Sequence, residues 1–160
     1  MTVEIKLTQG KVALIDDEDF ENVSQHKWCA AKTHRRGFYA ITSIKNGKNM
    51  SLHRLIMCTS SEMQIDHIDG NGLNCQRHNM RFATHSDNMK NRRMNYNSVS
   101  GFKGVNLYKR TGKYRASIRS DGINYHLGYF DSPEEAAHVY DMAARKLHGE
   151  FASLNFLGQD

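Results

Sequence analysis

Between Gln64 and Asn88 the chain sets one carboxylate, one imidazole and two amides on a pattern that admits few local folds. Met63 to Ile68 is a short run of roughly alternating apolar and polar residues, the mark of a half-buried strand. Asp69 to Asn74 is rich in Asp, Gly and Asn, the residues that turn a chain tightly between two strands. Met80 to Ala83 is a second short strand, and a polar helix is expected from Ser86 onward, with Thr84 as a capping residue. The prediction is a small ββα unit. Asp66 and His67 fall on its first strand, Asn79 just before its second, and Asn88 in the first turn of its helix. Such a set suits one hard divalent cation and one general base. Asp69, Gly70 and Asn71 serve as turn formers as well.

The rest of the chain sets limits on what surrounds this unit. Its 160 residues suffice for one medium domain or two or three small modules. Apolar content is 39%, low enough to favour several small cores over one large one. The net charge of +5 is uneven. Arg81 to Tyr125 holds ten Lys or Arg against two acids, a net +8, so the remainder carries −3. A basic block of this kind points to a polyanion, most simply nucleic acid; a solvated basic face is the plain alternative. Cys29, Cys58 and Cys75 are odd in number and lack Cys-x-x-Cys spacing, which argues against a disulfide framework and against structural zinc. No apolar run approaches a membrane span and no signal-peptide pattern opens the chain. A soluble, cytoplasmic protein with no membrane partner is expected, a monomer or weak dimer.

The fold class expected is α+β, in three parts. Residues 1–51 form a β-rich lead-in, with strands at Val3–Leu7 and Val12–Ile15, a short helix facing inward through Phe20 and Val23, and paired strands at Lys27–Lys32 and Phe38–Ile44. Asn46-Gly47 is a hairpin turn, Trp28 a core anchor, and His34-Arg35-Arg36 a basic loop. Residues 52–97 hold a short helix at Leu52–Cys58, the ββα unit, and a basic, Asn-rich linker. Residues 98–160 hold three strands near Gly104–Leu107, Tyr114–Arg119 and Asn124–Phe130, joined by Gly-containing turns. A helix follows, started by Ser132-Pro133-Glu134-Glu135 and ended by Gly149. Ala136, Ala137, Tyr140, Ala143, Ala144 and Leu147 recur at helical spacing, and the small alanines let that helix lie close on the sheet.

Two stretches resemble known families. His53-Arg54-Leu55, Asp66-His67-Ile68-Asp69-Gly70-Asn71, Asn79-Met80-Arg81-Phe82 and Asn88 resemble, in order, the motifs of HNH endonucleases of the phage and intron homing type. Met80 and Phe82 stand where the family has Leu and Trp, and are expected to keep its apolar packing. The resemblance implies metal-dependent hydrolysis of DNA phosphodiesters. His67 would be the general base. Asn79, the other catalytic position, would hold the His67 loop and ring. Asp66 and the Asn88 amide oxygen would hold one divalent cation, magnesium or else manganese. His85, three residues before Asn88, competes for the second ligand role. One finger per chain implies nicking by a monomer.

Phe102-Lys-Gly-Val105, Gly112-Lys-Tyr-Arg-Ala-Ser-Ile-Arg119, Leu127-Gly-Tyr-Phe-Asp131 and Gly149-Glu-Phe-Ala-Ser-Leu-Asn155 resemble the APETALA, or ethylene-response-factor, DNA-binding domain of plants. That implies a sheet laid in the major groove of double-stranded DNA. Matching positions are Lys103, Asn106, Tyr108, Arg110, Ser117, Arg119, Asn124 and His126; Asn106, Tyr108 and Asn124 replace family arginines, so the base preference must differ. Lys113 and Arg115, with Arg54, Lys90, Arg92 and Arg93 outside this block, suit phosphates. The competing readings are a DNA-binding regulator whose finger is not catalytic, and an RNA-binding or RNA-cleaving protein. Intact Asp66, His67 and Asn88 disfavour the first, and the lack of a base-stacking aromatic series disfavours the second.

Overall fold

The computed structural model describes residues 1–33, 37–44, 47–59, 63–92, 94 and 98–156. The expected basic loop His34-Arg35-Arg36, Asn46 of the expected hairpin turn, Arg93, and residues 95–97 of the expected linker lie outside them. The fold is α+β, in two compact units, Met1–Thr84 and His85–Asp160.

The first unit is built of short antiparallel sheets. β1 (Thr2–Lys6) pairs with β2 (Val12–Asp16), and β3 (Cys29–Lys32), β4 (Phe38–Ser43) and β5 (Asn49–Ser51) form a second sheet in that order. α1 (Phe20–Ser24) and α2 (Leu52–Ile56) pack with them. β6 (Gln64–His67) and β7 (Met80–Ala83) form a two-stranded hairpin. One apolar core serves both the lead-in and the hairpin. Ile15, Val23 and Trp28 meet Leu52, Ile56, Cys75 and Met80 in it. Trp28 is buried, and its indole N–H donates to the Val23 carbonyl at 2.9 Å, so the polar tip is satisfied inside the core.

Two expectations are corrected here. Phe20 is 47% exposed, and only Val23 of that pair is buried. A helix of five residues is little more than one turn, so its first residue stays at the rim. Met80 is buried as expected, but Phe82 is 45% exposed. It shares the face of Met80 two residues further along β7, opposite Ile65 at the rim of the core.

The second unit opens with α3 (His85–Lys90), one residue earlier than the sequence predicts. β8 (Val105–Tyr108), β9 (Lys113–Ser120) and β10 (Ile123–Phe130) form one antiparallel sheet with β9 in the middle. α4 (Pro133–His148) lies across it. Its start follows from residue chemistry. The Ser132 hydroxyl accepts from the Glu135 N–H at 3.1 Å, Pro133 occupies the first turn, and the chain leaves the helix at Gly149 with φ +54°. Ala136, Ala137 and Ala144 are fully buried against the sheet residues Val105, Ala116 and Ile118. Gly104 is required for this close approach: its φ is +76°, and a Cβ there would collide with the Tyr140 ring.

The periodicity of small residues does not reveal Asp141, which is 2% exposed on the same helix. Its carboxylate accepts from the backbone N–H groups of Asn155 and Phe156 and from Asn155 Nδ2, at 2.9 to 3.0 Å. Asn155 in turn accepts the Lys103 N–H at 2.6 Å and donates to the Lys103 carbonyl at 3.2 Å. The segment leading into β8 is thereby clasped to the segment that follows α4. α3 is held to the same unit by Lys90, whose Nζ lies 3.4 Å from Asp121, and by Lys103 Nζ, which donates to the Lys90 carbonyl at 2.6 Å.

Candidate active site

In the first unit the β6–β7 register sets Asp66 opposite Arg81 and His67 opposite Met80. The loop between the strands is held by its own polar side chains. Asn79 is 5% exposed; its Oδ1 accepts the Asp69 N–H at 3.0 Å, and its Nδ2 donates to Asp69 Oδ1 at 3.0 Å and to the Asn74 carbonyl at 2.8 Å. Asp69 also accepts the Asn71 N–H at 2.7 Å and the Asn74 amide at 2.8 Å. These bonds draw the Asp69 carboxyl below the usual range even though burial acts to raise it. Backbone bonds from Leu14 to Leu73 and from Cys75 back to Leu14, both 2.8 Å, tie the loop to β2.

His67 is 5% exposed. The Tyr39 and His53 rings pack around it, with centroids 5.8 and 5.3 Å from its own, and its Nε2 is 3.9 Å from the Cys75 sulfur. Gly72 makes room for this arrangement, because a Cβ there would collide with the Tyr39 ring and the Phe38 carbonyl oxygen. Burial pushes the His67 pKa below the ordinary value, while Asp69 and Asp66 act to raise it. His53 is driven down to about 3 by burial and by the neighbouring His67, and its Nδ1 is buried with no hydrogen-bond partner among the described residues. The thiol of Cys75 is pushed up to about 12 by burial, so it is an inert neighbour. Asp66 is 7% exposed, and Arg81 Nε and Nη2 donate to its Oδ2 at 2.9 and 2.7 Å.

A family model for HNH endonucleases matches residues 58–90. The chain is 32% identical over 153 residues to an uncharacterized HNH endonuclease, L560, of Acanthamoeba polyphaga mimivirus, covering 92% of this chain and 76% of that protein. It is 35% identical over 88 residues to Protein 3.8 of Escherichia phage T7, covering 55% of this chain and 72% of that one. The chain belongs to the HNH endonuclease family. It is a DNA-hydrolysing enzyme, and enzymes of this family generally use a divalent metal ion. A 68-residue stretch is 40% identical to the AP2-like ethylene-responsive transcription factor TOE2 of Arabidopsis thaliana; it spans 42% of this chain but only 14% of that protein. This HNH chain therefore carries an AP2-like segment as well. No solved structure matches it.

Asp66, His67 and Asn79 of this HNH chain come together on and beside the β6–β7 hairpin, and Asn88 lies half-buried on α3 in the second unit. Among the described residues no group of three or more His, Cys, Asp or Glu is arranged to hold a metal ion. The Asp66 carboxylate is a hard oxygen donor, which fits magnesium or manganese better than zinc. Magnesium keeps several waters and takes substrate phosphate oxygens as ligands, so a small protein donor set is adequate.

Sequence reasoning assigned no role to Tyr39, His53, Cys75 or Arg81. His53 and Arg81 both lie within the quoted motifs. The signal for Arg81 was its position opposite Asp66 across a short hairpin.

The second unit presents a polar sheet face. Val105, Ala116 and Ile118 face α4, so strand alternation sends Asn106, Tyr108, Lys113, Arg115, Ser117, Arg119, Asn124 and His126 to the other side. Tyr129 joins them; its ring lies 5.2 Å from Tyr108 and 4.8 Å from His126, a cluster the sequence reading missed. Arg110, in the β8–β9 turn, and Arg92 are exposed, and Arg54 is half-buried on α2 of the first unit. Lys90 and Lys103 are engaged within the second unit, and burial draws Lys103 down to about 8.

Proposed function

We propose that this enzyme is a metal-dependent DNA-nicking endonuclease of the mobile-element type, whose second unit holds duplex DNA through the polar face of its sheet. The observation that carries the catalytic part is the buried pair Asp66–His67 on β6. The imidazole is kept neutral by burial, and its loop is held by Asn79. A neutral imidazole can take a proton from water at neutral pH. The water oxygen bonds to phosphorus, the bond from phosphorus to the 3′ oxygen breaks, and the water's proton passes to a ring nitrogen of His67. Asp66 would hold the cation, which when bound neutralises charge on the phosphate and on the leaving oxygen. Asn79 acts through the loop and is a positioning residue.

Supercoiled plasmid with magnesium tests this. Open circles should accumulate before linear DNA, and excess chelator should abolish them. Nicking that survives the chelator would reject the cation role.

A further inference from the structure

Arg81 has no part in the proposed reaction, yet its Nη2 lies 2.7 Å from the carboxylate proposed as a cation ligand. Its Nε and Nη2 both donate to one oxygen, Asp66 Oδ2. The two side chains are 14% and 8% exposed, so this is an inward-facing ion pair and not a surface one. β6 and β7 hold it in register, because Asp66 and Arg81 are direct cross-strand partners. Arginine presents a planar fork that suits a phosphate as well as it suits a carboxylate.

We propose that Arg81 is a built-in competitor for the divalent cation, released from Asp66 to the scissile phosphate when cation and DNA load together. The inference rests on the reading of Asp66 as a cation ligand. A guanidinium on Asp66 Oδ2 cancels most of the charge that would attract a divalent ion and repels the ion directly. Two such charges a few ångströms apart affect affinity on the order of tenfold or more, even in a well-screened site. A phosphate from DNA supplies both the missing negative charge for the ion and a new partner for the arginine. The free enzyme would then hold its cation weakly.

The test combines manganese binding to the DNA-free protein, followed by electron paramagnetic resonance, with plasmid nicking at saturating magnesium. Arg81→Gln removes the competitor and the phosphate contact together. It should bind manganese about tenfold more tightly and nick at least tenfold more slowly. A residue that only supported the hairpin would shift both in the unfavourable direction. Arg81→Lys keeps a charge but loses the fork, and should show the same opposed shifts at smaller size; it decides the matter if the glutamine variant fails to fold. Manganese affinity that is unchanged or weaker in the folded Arg81 variants overturns the proposal. Asp66→Asn separates the premise from the inference: weakened manganese binding upholds Asp66 as a ligand whatever the Arg81 variants do, and unchanged binding removes the premise and the inference with it.

Discussion

At the scale of single residues, the neighbouring imidazoles of His53 and His67 make the first unit sensitive to acid. Both are held below their ordinary pKa, mainly by burial. Below about pH 6.5 the unfolded chain therefore binds protons that the folded chain refuses. Stability is present in full above that pH and is lost as pH falls, for His53 over the range from about 6.5 down to about 3. His53→Phe keeps a ring against Tyr39 and His67 but removes one titration. Between pH 7 and pH 5 it should lose less stability than the parent by about 1 to 2 kcal/mol, measured by urea unfolding at each pH. At His67 the lowered pKa keeps the base deprotonated at pH 6.5 and somewhat below, so the acid limb of the nicking rate should lie under pH 6.5. His67→Ala should reduce nicking by ~10² to 10⁴ and leave affinity for DNA nearly unchanged. Wild-type rates in the purified variant would remove His67 from the mechanism.

At the scale of elements, the β6–β7 loop is a polar knot whose strength comes from Asn79 and whose compactness comes from Gly72. Asn79→Ala leaves the Asp69 N–H and the Asn74 carbonyl without their partners, and should destabilise the first unit by roughly 1 to 3 kcal/mol. Gly72→Ala forces Tyr39 or the loop to move, for about 1 to 3 kcal/mol by overpacking, and it should lower nicking because Tyr39 lies against His67. Urea unfolding and plasmid nicking, taken together, check both. Most of these elements were legible in the sequence. The alternation around Asp66 and the turn residues after it gave the hairpin, and Ser132-Pro133 gave the start of α4. The ring cluster on His67 was not, because Tyr39 and His53 reach it from β4 and α2, and such long-range packing leaves no local pattern. Asp141 was missed for a related reason: a buried carboxylate looks like a surface residue until its partners at Asn155 and Phe156 are known.

At the scale of the molecule, chemistry-bearing side chains cluster in the first unit and the basic sheet face lies in the second. If that face holds duplex DNA, Lys113, Arg115 and Arg119 are the side chains most directly placed to neutralise phosphates. Replacing all three by Gln should reduce the slope of log affinity against log salt by roughly 2 to 3, at about 0.9 per phosphate contact on B-DNA. An unchanged slope in a folded triple variant would place DNA elsewhere on the chain.

The clasp among Asp141, Asn155 and Lys103 has one more consequence. It brings the two ends of the sheet-and-helix module side by side, joined by hydrogen bonds between Lys103 and Asn155. A module whose entrance and exit coincide can be spliced into a surface loop of an unrelated host without prying the host apart. Portability of that kind suits a segment found both beside a nuclease hairpin and as a 14% share of a plant transcription factor. Asn155→Ala would leave the module's sheet face chemically intact while letting its ends drift, and grafts of the variant should unfold their hosts where grafts of the parent do not.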